Sequence, residues 1–285
     1  MKVFLTGATG LVGAAVAAAL VRRGHQVAGL VRSDPARRRL RELGYEAVEG
    51  SLTDHDVLAR AAREADAVVH AGATGDARNG EVDAAAVRAL LDALRGSGKR
   101  FAYTSGVWLY GPTGNVPAHE STPLNPPGIV AFRPAVEAAV LDAADDLATV
   151  IIRPGVVYGG RRGIPGMLLA NADSVTVIGD GKNRWSLVHV DDLGELYALA
   201  LEKSPSGEAY NGTDASRTVR EVALAAAASL GGVPLTFVPL EEARERLGPF
   251  ADALVLDQVV SSDKARHALG WTPAGPSIEE DYLRR

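Results

Sequence analysis

Near its start the chain reads Thr6-Gly7-Ala8-Thr9-Gly10-Leu11-Val12-Gly13, three glycines set three residues apart between a β-branched run and an alanine-rich one. At a strand-to-helix junction this spacing suits a diphosphate. Gly7 permits a tight turn, Gly10 lets the backbone approach the anion, and Gly13 allows helix and strand to pack closely. Glycines also cluster in turns by chance. Here they sit at the first βα junction of a βαβ array, which is the context the motif requires. The expected ligand is a dinucleotide held through its pyrophosphate by Gly7, Thr9, Gly10, Leu11, Val12 and Gly13.

The end of the second expected strand bears on which dinucleotide it is. An acidic residue there usually binds the ribose hydroxyls of NAD. This chain has Val31, then Arg32 and Ser33, with Arg37 to Arg39 close behind. A carboxylate would repel a 2′-phosphate, whereas a guanidinium pairs with it in a bidentate way. The other reading of Arg32 is a solvated arginine at a helix cap. The charge argument favours NADP(H), with NAD(H) second.

Other chemistries are narrowed by composition. The 285 residues include no cysteine, so disulfides, zinc–thiolate sites and thiol nucleophiles are excluded. Histidines 25, 55, 70, 119, 189 and 267 form no pair at metal-ligand spacing, and no metal site is expected. A net charge of −5 with 23% charged residues gives no basic field for nucleic acid. The apolar run over 11–21 is too short to span a bilayer, and strand-like sequence from Lys2 leaves no room for a signal peptide. The expectation is a soluble cytoplasmic protein with a small-molecule substrate and no membrane partner; a homodimer is left open.

These residues need a scaffold, and the pattern supplies one. Short apolar runs at 3–6, 26–31, 46–49, 67–71, 100–104 and 149–152 alternate with helical stretches at 11–23, 35–43, 54–64, 82–95 and 130–144. That rhythm predicts an α/β fold, a Rossmann doubly wound parallel sheet. After Arg153 it changes. A glycine- and arginine-rich turn spans 158–166 and a loop spans 179–184. A helix opens at Asp191–Asp192, another spans 219–230 behind a Thr218/Glu221 capping box, and a strand follows at 233–239. Residues 1–157 are expected to form the nucleotide domain, and 158–285 mainly a smaller, interleaved C-terminal substrate-binding lobe.

With its TGxxGxxG spacing the chain resembles the short-chain dehydrogenase/reductase superfamily, in its extended branch of epimerases, dehydratases and reductases. Several further stretches resemble that branch: Val69-His70-Ala71-Gly72-Ala73, Tyr103-Thr104-Ser105-Gly106 with Leu109-Tyr110-Gly111, Arg153 to Gly159, Trp185 to Asp192, Ser262 to Arg266, and Leu269 to Pro273. The resemblance covers nearly the whole chain. It extends the implied cofactor contacts to Leu52, Ala71, Gly72, Ala73, Thr104, Arg133, Pro154, Gly155, Val156 and Val157.

In that superfamily a serine, a tyrosine and a lysine four residues after the tyrosine carry the chemistry. The tyrosine moves the proton, and the lysine lowers its pKa and holds the ribose. None of tyrosines 45, 103, 110, 158, 197, 210 and 282 has a lysine four residues later. Aligning on Glu137 puts Arg133 at the lysine position and Ile129 at the tyrosine position, so the pair is degenerate. Ser105 is left either to hydrogen-bond a substrate oxygen or to satisfy backbone at a strand end. Arg133 either clamps the ribose or lies on the surface.

Tyr110, usually structural in the family, and Tyr158 are the remaining proton candidates. His189 reads first as a structural histidine. Asn183, Arg184 and Trp185 read as a pocket wall or a packed corner, and Arg161 and Arg162 as an anion contact or solvated charges. The resemblance implies an NADP(H)-dependent oxidoreductase acting on a small carbonyl or alcohol, with Ser105, Arg133 and Tyr110 as catalytic candidates. The alternatives are an inactive NADP(H) sensor, or an epimerase or dehydratase with a tightly held cofactor.

Overall fold

The apolar runs of the first half become strands, all but the edge strand over 46–49 buried on both faces, and the alanine-rich stretches become the helices that cover them. The computed structural model describes residues 1–284. Its strands are β1 (Lys2–Thr6), β2 (Gln26–Val31), β3 (Glu46–Glu49), β4 (Ala67–His70), β5 (Arg100–Thr104), β6 (Ala148–Pro154), β7 (Val156–Gly159), β8 (Val175–Ile178), β9 (Arg184–His189), β10 (Glu208–Gly212), β11 (Ala215–Thr218) and β12 (Leu235–Val238). A seven-stranded parallel sheet runs β10-β6-β5-β4-β1-β2-β3. Strand order reverses between β1 and β4, and in open sheets of this kind ligands lie at the carboxyl ends of the strands at that point.

Helices α1 (Leu11–Arg22), α2 (Asp34–Glu42), α3 (His55–Glu64), α4 (Asn79–Leu94) and α5 (Arg133–Asp142) connect the first six strands. Successive β1 residues serve opposite cores. Val3 and Leu5 pack with Val16 and Leu20 of α1, while Phe4 packs with Leu58 of α3 and Leu90 of α4. That is why the strand reads as a continuous apolar run.

Later helices are α6 (Gly163–Gly166), α7 (Val190–Lys203), α8 (Val219–Ser229), α9 (Leu240–Leu247), α10 (Pro249–Leu254), α11 (Asp263–Leu269) and α12 (Ile278–Leu283). The chain beyond residue 157 returns to the sheet twice, through β10 at its edge and through α7, whose Leu196 and Tyr197 share the α1 core. Gly194 lets α7 lie against α1, since a Cβ there would sit 2.6 Å from the Ala15 carbonyl oxygen. The rest forms the second lobe, with sheets β11-β9-β7 and β12-β8. Thr218 and Glu221 make the expected reciprocal cap of α8.

The helix expected over 130–144 starts later, at Arg133, after a separate 3₁₀ turn at Gly128–Val130. Pro134 explains the break: it lacks an N–H, and inside a helix its ring would strike the carbonyl four residues back, at Val130. Ile129 and Arg133 therefore do not share a helix.

Candidate active site

The glycine turn is locked by sterics. Gly7 has φ +75°, and a Cβ there would lie 2.5 Å from the Ala71 carbonyl oxygen. A Cβ on Gly13 would run into the Gly7 carbonyl. The Gly10 amide donates to that carbonyl at 2.8 Å. Helix α1 then opens on Gly10 with no side-chain cap and no acid in its first turn. Its free amides and positive dipole end favour an anion. Thr9 and Gly10 are exposed, and Leu11 and Val12 half-buried.

Beside this turn, the last rungs of β1, β4 and β5 align Thr6 with His70 and His70 with Tyr103. The Thr6 hydroxyl accepts from the amides of Ala71 at 3.1 Å and Gly72 at 3.0 Å, and lies 2.9 Å from His70 Nδ1. Its own proton must then go to Nδ1, which leaves the His70 Nε2–H to donate to Asp83 at 3.2 Å. The Tyr103 hydroxyl donates to the other Asp83 oxygen at 2.7 Å. All four side chains are buried. The network holds the Ala71–Gly72 backbone, with Leu52 over Gly72 and Ala73 exposed beyond it. No sequence signal joins these residues, because three strands and a helix bring them together.

At the end of β2 an open cleft of about 620 Å³ is lined by Val31, Arg32, Ser33, Arg37, Glu49 and Ser51, among others. Arg37 is engaged by Asp34 at 2.6 Å and Glu49 at 2.5 Å. Arg32 is exposed and makes no ion pair among the described residues. Ser33 caps α2, its hydroxyl accepting from the Ala36 amide at 3.5 Å.

At the carboxyl end of β5 stands Ser105, 5% exposed, whose hydroxyl has no hydrogen-bond partner among the described residues. Its amide donates to the Ile152 carbonyl at 2.8 Å, so the backbone there is already satisfied without the side chain. Next to it, Arg133 Nη1 donates to the Thr104 carbonyl at 2.6 Å, and the Tyr197 hydroxyl donates to Thr104 Oγ1 at 2.7 Å. An unpartnered buried hydroxyl costs free energy unless something outside the chain completes it.

Tyr110 does not serve as a proton source in this geometry. Its hydroxyl donates to Asn211 at 2.8 Å and accepts from Arg153 Nη1 at 2.8 Å. Burial pushes its pKa above the ordinary tyrosine value, against the opposing pull of Arg153. Arg153 in turn forms a two-pronged buried pair with Glu137 at 3.0 and 2.5 Å. Burial alone would lower the Arg153 pKa, yet its bonds to Glu137 hold it above the usual arginine range. Tyr158 likewise donates to the Pro276 carbonyl at 2.8 Å, and burial raises its pKa.

Most of the remaining candidates are engaged within the C-terminal part of the chain. His189 caps α7, its Nδ1 accepting from the Asp191 amide at 3.3 Å. Asn183 donates to the Leu254 and Leu256 carbonyls, Arg184 pairs with Asp257 at 2.6 Å, and the Trp185 indole donates to Leu254 at 2.9 Å. Arg161 donates to the Tyr282 carbonyl at 2.8 Å, and Arg162 is exposed. In the segment 154–157, Pro154 and Val156 are buried and Val157 half-buried. A Cβ on Gly155 would meet the Ser186 carbonyl, so the β9 backbone already requires glycine there.

Three observations fit a nicotinamide dinucleotide: the uncapped start of α1, the cleft at the end of β2, and the unpartnered Ser105 hydroxyl. The family model described as NAD dependent epimerase/dehydratase family matches residues 3–211. The uncharacterised Saccharomyces cerevisiae protein YLL056C is 32% identical over 301 residues, covering 99% of this chain and 97% of its own length. A 3-diazoavenalumate denitrifying reductase from a Streptomyces species is 29% identical over the full length of both chains. The solved structure of UDP-glucose 4-epimerase from Thermus thermophilus, complexed with NAD, superposes with a TM-score of 0.82 at 26% identity, covering 99% of this chain and 97% of that one.

Proposed function

The chain belongs to the NAD dependent epimerase/dehydratase family, in the extended short-chain dehydrogenase/reductase superfamily, and on that premise we propose that it is an NADP(H)-dependent oxidoreductase acting on a small carbonyl or alcohol. The observation that carries the reading is the buried, unpartnered hydroxyl of Ser105 at the carboxyl end of β5. A carbonyl oxygen completes such a group, and an oxidoreductase of this fold brings its substrate to that strand end.

The residues proposed to hold the dinucleotide lie at the glycine turn and along the carboxyl ends of the strands. The amides at Leu11 and Val12 would take the pyrophosphate over the bare Gly10 backbone, Arg32 and Ser33 a 2′-phosphate, and Leu52 with Ala71 to Ala73 the stretch between. Thr104, Arg133 and the segment 154–157 border the nicotinamide end. When bound, a nicotinamide supplies or accepts hydride at the carbonyl carbon. Ser105 donates a hydrogen bond to the substrate oxygen, and the Arg133 guanidinium adds positive potential where negative charge develops. With both candidate tyrosine hydroxyls engaged internally, the proton comes from water in the cleft. Losing a positioned acid typically slows turnover about 10²–10⁴-fold, so simple carbonyls are expected to react slowly.

Steady-state oxidation of NADPH and NADH across a carbonyl panel, by wild type and Ser105→Ala, tests this. The expected result is measurable NADPH oxidation that the substitution lowers at least tenfold while NADPH binding holds. Tight NADPH binding without turnover of any carbonyl would instead indicate a sensor, the reading that Ile129 at the tyrosine position favours. Cofactor that co-purifies with the protein would point to an epimerase or dehydratase.

A further inference from the structure

The second lobe holds a cavity of about 330 Å³, open on one side, that the nucleotide crevice does not explain. Its walls include Ile164, Leu168, Ile178, Trp185, Val219 and Leu254. The Trp185 indole N–H is already donated to the Leu254 carbonyl, so the ring brings no free donor. Asn171 and Ser174, which also border it, bond to each other at 3.2 Å. The single charged residue on its lining is Arg246 of α9. Beyond Arg246 and the Thr176 hydroxyl the walls are apolar or have their polar groups engaged, whereas a nucleotide diphosphate spreads its oxygens over several donors.

An apolar cavity of about 150 Å³ stays dry and takes up benzene. This one has about twice that volume, room for roughly ten carbon atoms. One wall residue, Leu254, stands at the end of α10. Phe250, one turn earlier on the same face of α10, packs edge-on against Trp108 with ring centres 6.0 Å apart. Trp108 lies three residues beyond Ser105. The two residues of α10 are about 6 Å apart along the helix axis, so apolar side chains step from the cavity to Trp108, in the 3₁₀ turn Val107–Tyr110 that follows Ser105.

We propose that this cavity binds the apolar tail of the substrate, a hydrocarbon chain or fused ring of about ten carbons, while the substrate carbonyl meets Ser105. The tail pocket deepens the reductase reading and rests on it for the identity of the reacting group. The cavity itself is tested separately by binding.

The binding probe is 8-anilinonaphthalene-1-sulfonate, followed by its fluorescence, with 2-decanone as competitor. Wild type should bind the dye saturably, and 2-decanone should displace it. Ala243→Phe, in the wall, and Ala170→Trp, at the exposed rim, should each weaken dye binding at least tenfold with NADPH binding unchanged; the rim variant guards against a folding defect in the wall variant. In turnover, kcat/KM along a series of 2-alkanones should rise about fourfold per methylene, the value of one buried CH₂, and level off near ten carbons. In Ala170→Trp the rise should stop several carbons earlier. Dye binding that survives both substitutions, or displacement by UDP-glucose in preference to 2-decanone, would overturn the proposal. Dye binding lost in the variants with no ketone turned over by wild type would sustain the pocket and sink the reductase reading.

Discussion

Arg133 donates through Nη1 to the carbonyl oxygen of Thr104 at 2.6 Å, one residue before the unpartnered hydroxyl of Ser105. The bond uses one of five guanidinium N–H donors and leaves the fork free to meet a ribose or a substrate oxygen. Arg133→Ala should therefore weaken NADPH binding about 10–100-fold, the worth of hydrogen bonds to a charged group, and move the melting temperature little. Arg133→Lys should recover part of that, since a lysine keeps the charge without the fork. A fluorescence titration of NADPH beside a thermal melt reads both quantities. Unchanged binding with a lowered melting temperature would make Arg133 a pin for β5 alone.

Arg32 stands without an ion pair in the cleft where Arg37 is held by Asp34 and Glu49. Arg32→Ala should cost NADP(H) about 1.5–3 kcal/mol of binding and leave NAD(H) nearly unchanged. Isothermal titration with the two cofactors compares them directly. Matching wild-type affinities would refute the proposed preference.

The Thr6 hydroxyl accepts the amides of both Ala71 and Gly72. Thr6→Val keeps the volume and strands those two donors and His70 Nδ1, at about 1–3 kcal/mol for each group that water cannot reach. Stability should fall by a few kcal/mol in a chemical denaturation curve. NADPH affinity should fall as well, because the Ala71–Gly72 backbone is no longer fixed. A stable variant with wild-type affinity would show that the network is dispensable.

Arg23 holds Glu202 by two hydrogen bonds, at 2.9 and 2.6 Å, and with His25 nearby draws its carboxyl pKa from 4.5 down to about 2. The folded state thus favours the ionised form. Its contribution is complete above pH 4.5 and disappears as the pH falls through 2. At neutral pH Glu202→Gln should cost about 1 kcal/mol, because the pair is partly exposed. The difference in melting temperature from wild type should narrow steadily below pH 4.5. A difference as large at pH 3 as at pH 7 would contradict this account.

What is legible in the sequence is local. The turn from Thr6 to Gly13 shows in its glycine spacing, with Gly13 fixed by the Gly7 carbonyl inside it and Gly7 also by Ala71, and the apolar runs place β1 to β6 to within a residue or two, the edge strand β3 being the one that is not buried. Ser105 is found through its motif. The partners of Tyr110 are not legible: Arg153, Glu137 and Asn211 come from β6, α5 and β10, and nothing along the chain links them. Helical periodicity suggests one helix from residue 130, and Pro134 holds its start back to Arg133. Strands β7 to β11 escape the sequence pattern for a similar reason. The Glu-Ala-Tyr-Asn-Gly of β10 carries no strand pattern of its own, and its conformation comes from pairing with β6.

The return of β10 to the sheet sets the order in which the protein can be completed during synthesis. Until residues 208–212 emerge from the ribosome, β6 presents an unpaired edge, and until α7 emerges, the apolar face of α1 lacks its cover. At about 5–20 residues per second, nearly sixty residues separate the two strands by roughly 3–12 s. Through that interval the nascent chain carries an open sheet edge of the kind that invites pairing with other chains. A fragment cut off after residue 157 would keep that edge permanently, so the first half of the molecule is expected to depend on the second for solubility.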